Sequence, residues 1–373
     1  MTVETASAAR RTLRRAVFLP VWLLLVAVAV PFALGLTVPR ALLYLPFAAS
    51  VLVLGLPHGA VDHVTLLRAR GTLADAGLRA LLTGPARDAL ARVGLLYLVL
   101  GGAYLLGWWV APAAAFVVFV ALTWFHWGQG DLYALVDLVE TTHLRTGSQR
   151  ALAVVVRGGL PMVVPLVGAP VAYRRVATDV VGLFDAGAAD ALAPAFAPGT
   201  RLVVAVGFGA LSLATLVLGF VHARRRGGAA RVSWRLDAVE TTLLWGYFLV
   251  VPPVLAVGLY FCLWHSVRHI ARLVVLDRPA TRALAAGDLR PGVVRFARDA
   301  APLTVGALVV FAALFLAVPT DGSLAALVAV YLVLLAVLTL PHVVVVTLLD
   351  REQGLWTPPG VDGPGPAHGS PGR

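Results

Sequence analysis

The chain has 373 residues, of which 60% are hydrophobic and 13% charged, and its mean hydropathy is +0.87. Soluble domains run nearer a quarter charged, so this composition excludes an ordinary soluble domain and predicts an integral membrane protein, all-α, folded as a bundle of transmembrane helices. The formal charge is +11 with no lysine in the sequence; the arginines fall in short loops between apolar spans, where the inside-positive bias explains them and nucleic-acid binding is not needed.

Residues 1–15 read as a basic cytoplasmic arm carrying Arg10, Arg11, Arg14 and Arg15. The first span is predicted at 17–36. No small-residue cleavage site follows, so it reads as a retained helix and not a signal peptide. A second span is predicted at 41–61, then a basic loop with Arg68, Arg70, Arg79, Arg87 and Arg92. The third and fourth spans are predicted at 93–110 and 113–136. The fifth, at 151–167, is weaker. It contains Arg157, Gly158, Gly159, Pro161 and Pro165, and reads as a broken segment, tolerable only inside protein or along a cavity. Residues 169–199 read as a surface helix or capping loop.

The sixth to tenth spans are predicted at 201–222, 236–251, 254–275, 303–318 and 324–349. A single transmembrane domain thus covers 16–350, and a Gly/Pro-rich tail, 351–373, reads as disordered. The count is about ten, or eight to nine if the fifth or seventh is re-entrant. The arginine loops follow the even-numbered spans, which places both termini in the cytoplasm.

Four apolar segments carry histidines, and ionisable groups inside a membrane usually mark a site. In YFCLWHSVRHIAR, His265 and His269 stand four apart, so on a helix both imidazoles share a face and suit one metal ion. In PHGAVDH, His58 and Asp62 have the same spacing. His58 reads as a ligand with Asp62 orienting it, or else as a polar helix end. In WFHWGQGD, His126 reads as a ligand and Asp131 as a supporting acid or helix-end residue. Gly128 and Gly130 permit close approach, and Trp124, Phe125 and Trp127 line an apolar channel or form an interfacial belt. In LPHVVVVTLLD, Pro341 can kink the helix and His342 reads as a fifth histidine near the metal, a relay or a pocket residue. Asp350 reads as interfacial, Arg268 as reaching headgroups or an acid such as Asp62 or Asp131. His143 and His222 read as surface residues, while His63 is left between a role and a helix end. The single cysteine, Cys262, excludes an internal disulfide or a zinc ribbon and reads as a small packing residue.

No phosphate-binding loop, dinucleotide fingerprint, HExxH or serine nucleophile elbow occurs. A zinc-activated water would call for a nearby glutamate base, and none lies in these motifs. An all-histidine site leaves iron(II) able to bind O2 with water excluded.

Taken in order, PHGAVDH, WFHWGQGD, YFCLWHSVRH and the terminal LPH resemble the Brp/Blh family of membrane β-carotene 15,15′-dioxygenases, over roughly residues 41–350. The resemblance implies a non-haem iron (Fe2+) enzyme that adds O2 across the central double bond of β-carotene and releases two molecules of all-trans-retinal. It implies iron ligation by His58, His126, His265 and His269, assistance from His342, and supporting acids at Asp62 and Asp131. It also implies that β-carotene enters from the lipid bilayer and that retinal serves a rhodopsin. Trp127 stands where the family usually has Phe. Two other readings fit the residues. One is a membrane iron lipid oxidase or desaturase, although such enzymes use more paired histidines than this chain has. The other is a transporter, which would need a water-filled path between the two faces.

Overall fold

The computed structural model describes residues 2–71 and 84–357, so Arg79 and the tail from 358 onward lie outside the described residues. The described chain is entirely helical and loop. Among these residues eight helices are long and apolar enough to cross a membrane: α1 (Val3–Ala33), α4 (Arg87–Val110), α5 (Pro112–Leu138), α6 (Gly147–Gly168), α8 (Pro198–Arg226), α10 (Pro253–Leu276), α12 (Arg290–Ala317) and α13 (Leu324–Glu352). Shorter or more polar helices stand between them: α2 (Arg40–Ser50), α3 (Asp62–Ala69), α7 (Pro170–Val181), α9 (Gly228–Val250) and α11 (Arg278–Ala285).

The long helices divide by burial. About two thirds of the most apolar stretch is buried in α6 (67%), α10 (61%) and α13 (61%), against 17% or less in α1, α4, α8 and α12. The first group forms the centre of the bundle. The second presents leucine and valine outward, among them Leu23, Leu98, Leu202 and Val309, as a lipid-facing wall requires.

Two of the ten expected spans do not form apolar crossing helices. The segment 41–61 breaks: α2 ends at Ser50, the chain turns through Leu54 at φ +63°, and a 3₁₀ turn covers Leu56–Gly59 before α3 begins. Pro57 disfavours helix at the residue before it. A side chain at Gly55 would meet Ser50 and Phe261 at under 3 Å, so the turn seats only glycine there. The seventh expected span is a helix, α9, but its first half carries Arg231, Arg235, Asp237 and Glu240. The fifth, expected to be broken, is instead the continuous helix α6. A capping box of Thr146 and Gln149 starts it, and it runs through Pro161 and Pro165. Its glycines let it approach α5 backbone to backbone. A Cβ on Gly128 would lie 2.1 Å from the Val154 carbonyl oxygen, and one on Gly158 would lie 1.9 Å from that of Trp124.

The arm expected at 1–15 is helical from Val3. Arg10 pairs with Asp137 at 2.8 Å and Arg14 donates to the Val139 carbonyl at 3.0 Å, which docks it on the end of α5. Residues 169–199 form α7 and a 3₁₀ turn, Ala188–Phe196. At the other end the chain folds on after α13, with Leu355 buried and its carbonyl accepting from Arg150.

Candidate metal centre

Five imidazoles meet in the interior. His58 comes from the 3₁₀ turn after α2, His126 from the second half of α5, His265 and His269 from α10, and His342 from α13 just after Pro341. All five are buried, none more than 7% exposed. Local backbone departs from a plain α-helix at His58 and at His265. Residues Tyr260–Ser266 form a π-helical turn ending beside His265, a feature often found at functional sites. Glycines leave room for the rings: a Cβ at Gly130 would lie 3.4 Å from His265, and one at Gly59 would lie 3.4 Å from His342.

One ring nitrogen from each of His58, His126 and His265 lies within 4.8 Å of the other two. Nε2 of His126 faces Nε2 of His265 at 3.1 Å. The His269 ring centre lies 5.5 Å from that of His58, 6.1 Å from His126 and 6.4 Å from His265. The His342 ring lies 4.7 Å from His126 and 5.1 Å from His269. Several nitrogens are already committed outward. Nδ1 of His58 bonds the Gly55 carbonyl, and Nδ1 of His342 donates to Asp62 Oδ2 at 2.8 Å. That leaves the Nε2 lone pair of His342 without a partner, and both nitrogens of His269 are likewise unpartnered. Buried polar groups are normally satisfied. His58, His126 and His265 bring one nitrogen each into a buried group that could hold a metal ion such as iron, zinc or copper, with the His269 and His342 rings beside it.

Asp62 orients a different histidine from the one expected. The i, i+4 argument assumed a helix through His58 and Asp62. The helix begins only at Asp62, and its carboxylate turns to His342 and accepts from the Tyr97 hydroxyl at 2.7 Å. Carboxylate–histidine pairs of this kind fix the tautomer of a metal ligand. Asp131 touches no imidazole. It accepts from Trp264 Nε1 at 2.9 Å and pairs with Arg268 and Arg157, each at 3.1 Å, so it reaches His265 only through the neighbouring indole.

Behind this indole lies a network that sequence reasoning missed. Glu240, fully buried, pairs with both Arg157 and Arg268. Asp237 accepts from His143 at 3.1 Å. The Arg268 guanidinium lies 3.9 Å above the Trp264 ring. His143 is therefore a buried residue and not a surface one, because α9 folds its charged half against it. Asp350, expected at the interface, is buried and paired with Arg272 at 2.7 Å. His63 is buried apart from the five rings, with Nδ1 unpartnered. His222 bonds the Leu218 carbonyl of its own helix. One signal was available: an arginine inside an apolar span, Arg157, calls for buried acids somewhere.

A cavity of about 560 Å³ opens beside the histidines, lined almost wholly by apolar side chains from α2, α4, α5, α7, α12 and α13, with His58, His126 and His342 at its wall. Trp127 lines it and lies against His265 (ring centres 5.6 Å) and Phe261 (6.0 Å). Trp124 turns away to donate to the Val155 carbonyl, and Phe125 faces outward.

The family model described as β-carotene 15,15′-dioxygenase matches residues 49–350. A protein of Halobacterium salinarum named probable β-carotene 15,15′-dioxygenase Blh is 45% identical over 349 residues, 93% of this chain and 96% of the relative. A second from the same species, probable β-carotene 15,15′-dioxygenase Brp, is 36% identical over 348 residues, 89% of this chain and 90% of the relative. No solved structure matches. The chain is a membrane protein of the Brp/Blh family of β-carotene 15,15′-dioxygenases.

Proposed function

We propose that this protein cleaves the central 15,15′ double bond of β-carotene with O2 to give two molecules of all-trans-retinal, and that Fe2+ is its metal. His58, His126, His265 and His269 would hold the ion. His342, whose Nε2 Asp62 leaves free, stands ready as a further ligand. The observation that supports this reading is the meeting of buried, convergent imidazoles with an apolar cavity. Bound iron would supply the O2 binding and electron transfer that a hydrocarbon and dioxygen do not accomplish unaided.

The chain's own residues supply the rest. A polyene offers no charge and no hydrogen-bonding group, so it is held by shape and dispersion; Phe116, Phe119, Trp127 and Phe261 provide such contact along the cavity. The apolar lining excludes water from the reacting carbons. The Gly55 carbonyl and the Asp62 carboxylate hold His58 and His342 with fixed tautomers, so their remaining nitrogens point inward without rearrangement. The balanced reaction joins one oxygen atom of O2 to each of the two carbons and needs no net proton. This suits a site whose acids are tied to arginine or histidine. Substrate would enter from the bilayer, and retinal would leave to the bilayer or to a rhodopsin apoprotein, with both termini cytoplasmic.

The test is direct. Detergent-purified protein supplied with Fe2+, O2 and β-carotene should yield retinal as the sole aldehyde, two per carotenoid consumed, measured chromatographically. Off-centre apocarotenals would overturn the regiochemistry, and no aldehyde at all would overturn the reading.

A further inference from the structure

Thr123 stands one helical turn before His126 on α5, on the face formed by Phe116, Phe119, Val120 and Trp127 along the cavity. Its side chain is 7% exposed, and its hydroxyl has no hydrogen-bond partner. That is unusual for a threonine inside an apolar helix, where the hydroxyl ordinarily bonds the carbonyl four residues back. Thr65, Thr215 and Thr339 do so in this protein, to Val61, Leu211 and Leu335 at 2.9, 2.8 and 2.6 Å, while Thr304 on α12, which is not part of the cavity wall, shares with Thr123 a hydroxyl without a partner. A buried hydroxyl without a partner costs free energy, and Thr123, unlike Thr304, lines the cavity, where a ligand can accept a hydrogen bond from it.

β-Carotene is a hydrocarbon and cannot accept that hydrogen bond. The aldehyde oxygens created by cleavage can. We infer that Thr123 is a catalytic residue that donates a hydrogen bond to the carbonyl oxygen of the aldehyde product as it forms beside His126. This assignment rests on the proposed cleavage for the product's identity, but its site is defined by Thr123 and the cavity alone. The hydroxyl keeps its proton throughout, since oxidation of the carbon–carbon double bond to two carbonyls consumes O2 and neither takes up nor releases a proton.

The test uses all-trans-retinal as probe on the purified full-length protein, with the carbonyl stretch of bound retinal read by difference infrared or Raman spectroscopy. In the wild type this band should lie below that of retinal in hydrocarbon solvent. Thr123→Val, which keeps the shape and removes the hydroxyl, should return the band toward the hydrocarbon position and weaken retinal binding about three- to tenfold, the usual yield of one hydrogen bond. Thr123→Ser should keep the low band. The KM for β-carotene should stay within about twofold in both variants, because the substrate gives the hydroxyl nothing to bond. A wild-type band already at the hydrocarbon position overturns the assignment without any variant, and so does a Thr123→Val band equal to the wild type. Failure of the cleavage reading appears separately, as off-centre products from β-carotene in a protein whose bound-retinal band still follows Thr123.

Discussion

Helix α10 carries two kinds of buried polar residue on two faces. His265 and His269 belong to the cluster of five imidazoles: Nε2 of His265 meets Nε2 of His126, and both nitrogens of His269 have no hydrogen-bond partner. Arg268 and Arg272 look the other way, and each is paired: Arg268 with Asp131 and Glu240, Arg272 with Asp350 and Gln353. Both faces bear groups that are costly to bury. The arginine face has acids as partners, and the histidine face meets other imidazoles. A buried charge that is matched by acids serves the fold, whereas convergent imidazoles form a set of donors suited to a metal ion.

The comparison breaks most completely at the histidine face. His265→Ala should bring bound iron per chain close to zero and retinal formation below detection, while the purified protein keeps its helical signal. Elemental analysis beside the turnover assay checks this. A variant that retained stoichiometric iron would take His265 out of the ligand set.

The arginine face should fail in the opposite manner. Glu240→Ala leaves Arg157 and Arg268 buried with Asp131 as their shared acid. Removing one partner of a buried ion pair costs about 3–5 kcal/mol. The expected result is a large fall in thermal stability and in folded yield, with the surviving folded fraction still binding iron. Equal loss of iron and stability would mean that the two faces are not separable.

A third change sits between the faces. Asp62→Asn keeps the volume but exchanges a carboxylate for an amide opposite His342 Nδ1 and the Tyr97 hydroxyl. Loss of such an orienting acid typically costs 10–100-fold in metal affinity or activity, so a drop of about that size is expected, with stability little changed. Iron titration of the variant decides it. Affinity equal to the wild type would leave His342 as a pocket residue.

How legible each face was follows from where its partners lie. His58, His126, His265, His269 and His342 stood out because a histidine in an apolar run is rare and each sat in a short, dense motif. The acids of the arginine face did not. Glu240 lies in α9, 83 positions from Arg157 and 28 from Arg268, in a segment expected to be an apolar span. His143 read as a surface residue for the same reason: Asp237, its partner, is 94 positions away. Spacing rules also assume a regular helix, and they failed where the backbone leaves it. The 3₁₀ turn at Leu56–Gly59 took Asp62 off the face of His58 and gave it to His342. Conversely, the prolines of α6 suggested a break that close contact with α5 prevents.

The smallest expected effect concerns Trp127, which bridges the two concerns of the site by touching both the cavity and His265. Its ring lies at 19° to Phe261 and 34° to His265, so it backs the imidazole while forming cavity wall. Trp127→Phe retains an aromatic face but removes part of the ring, enlarging the cavity by less than a side chain. The cost of such a trimmed aromatic is about 1 kcal/mol or somewhat more when the space does not collapse. The change should therefore leave iron content untouched and move kcat/KM for β-carotene by a few-fold at most, read from initial rates of retinal formation. Trp127→Ala, which removes the wall altogether, should cost far more. If Phe and Ala were equally harmful, the indole would be acting through its own N–H and not as a surface, and the backing of His265 would have to be sought elsewhere among its neighbours, Phe261 first.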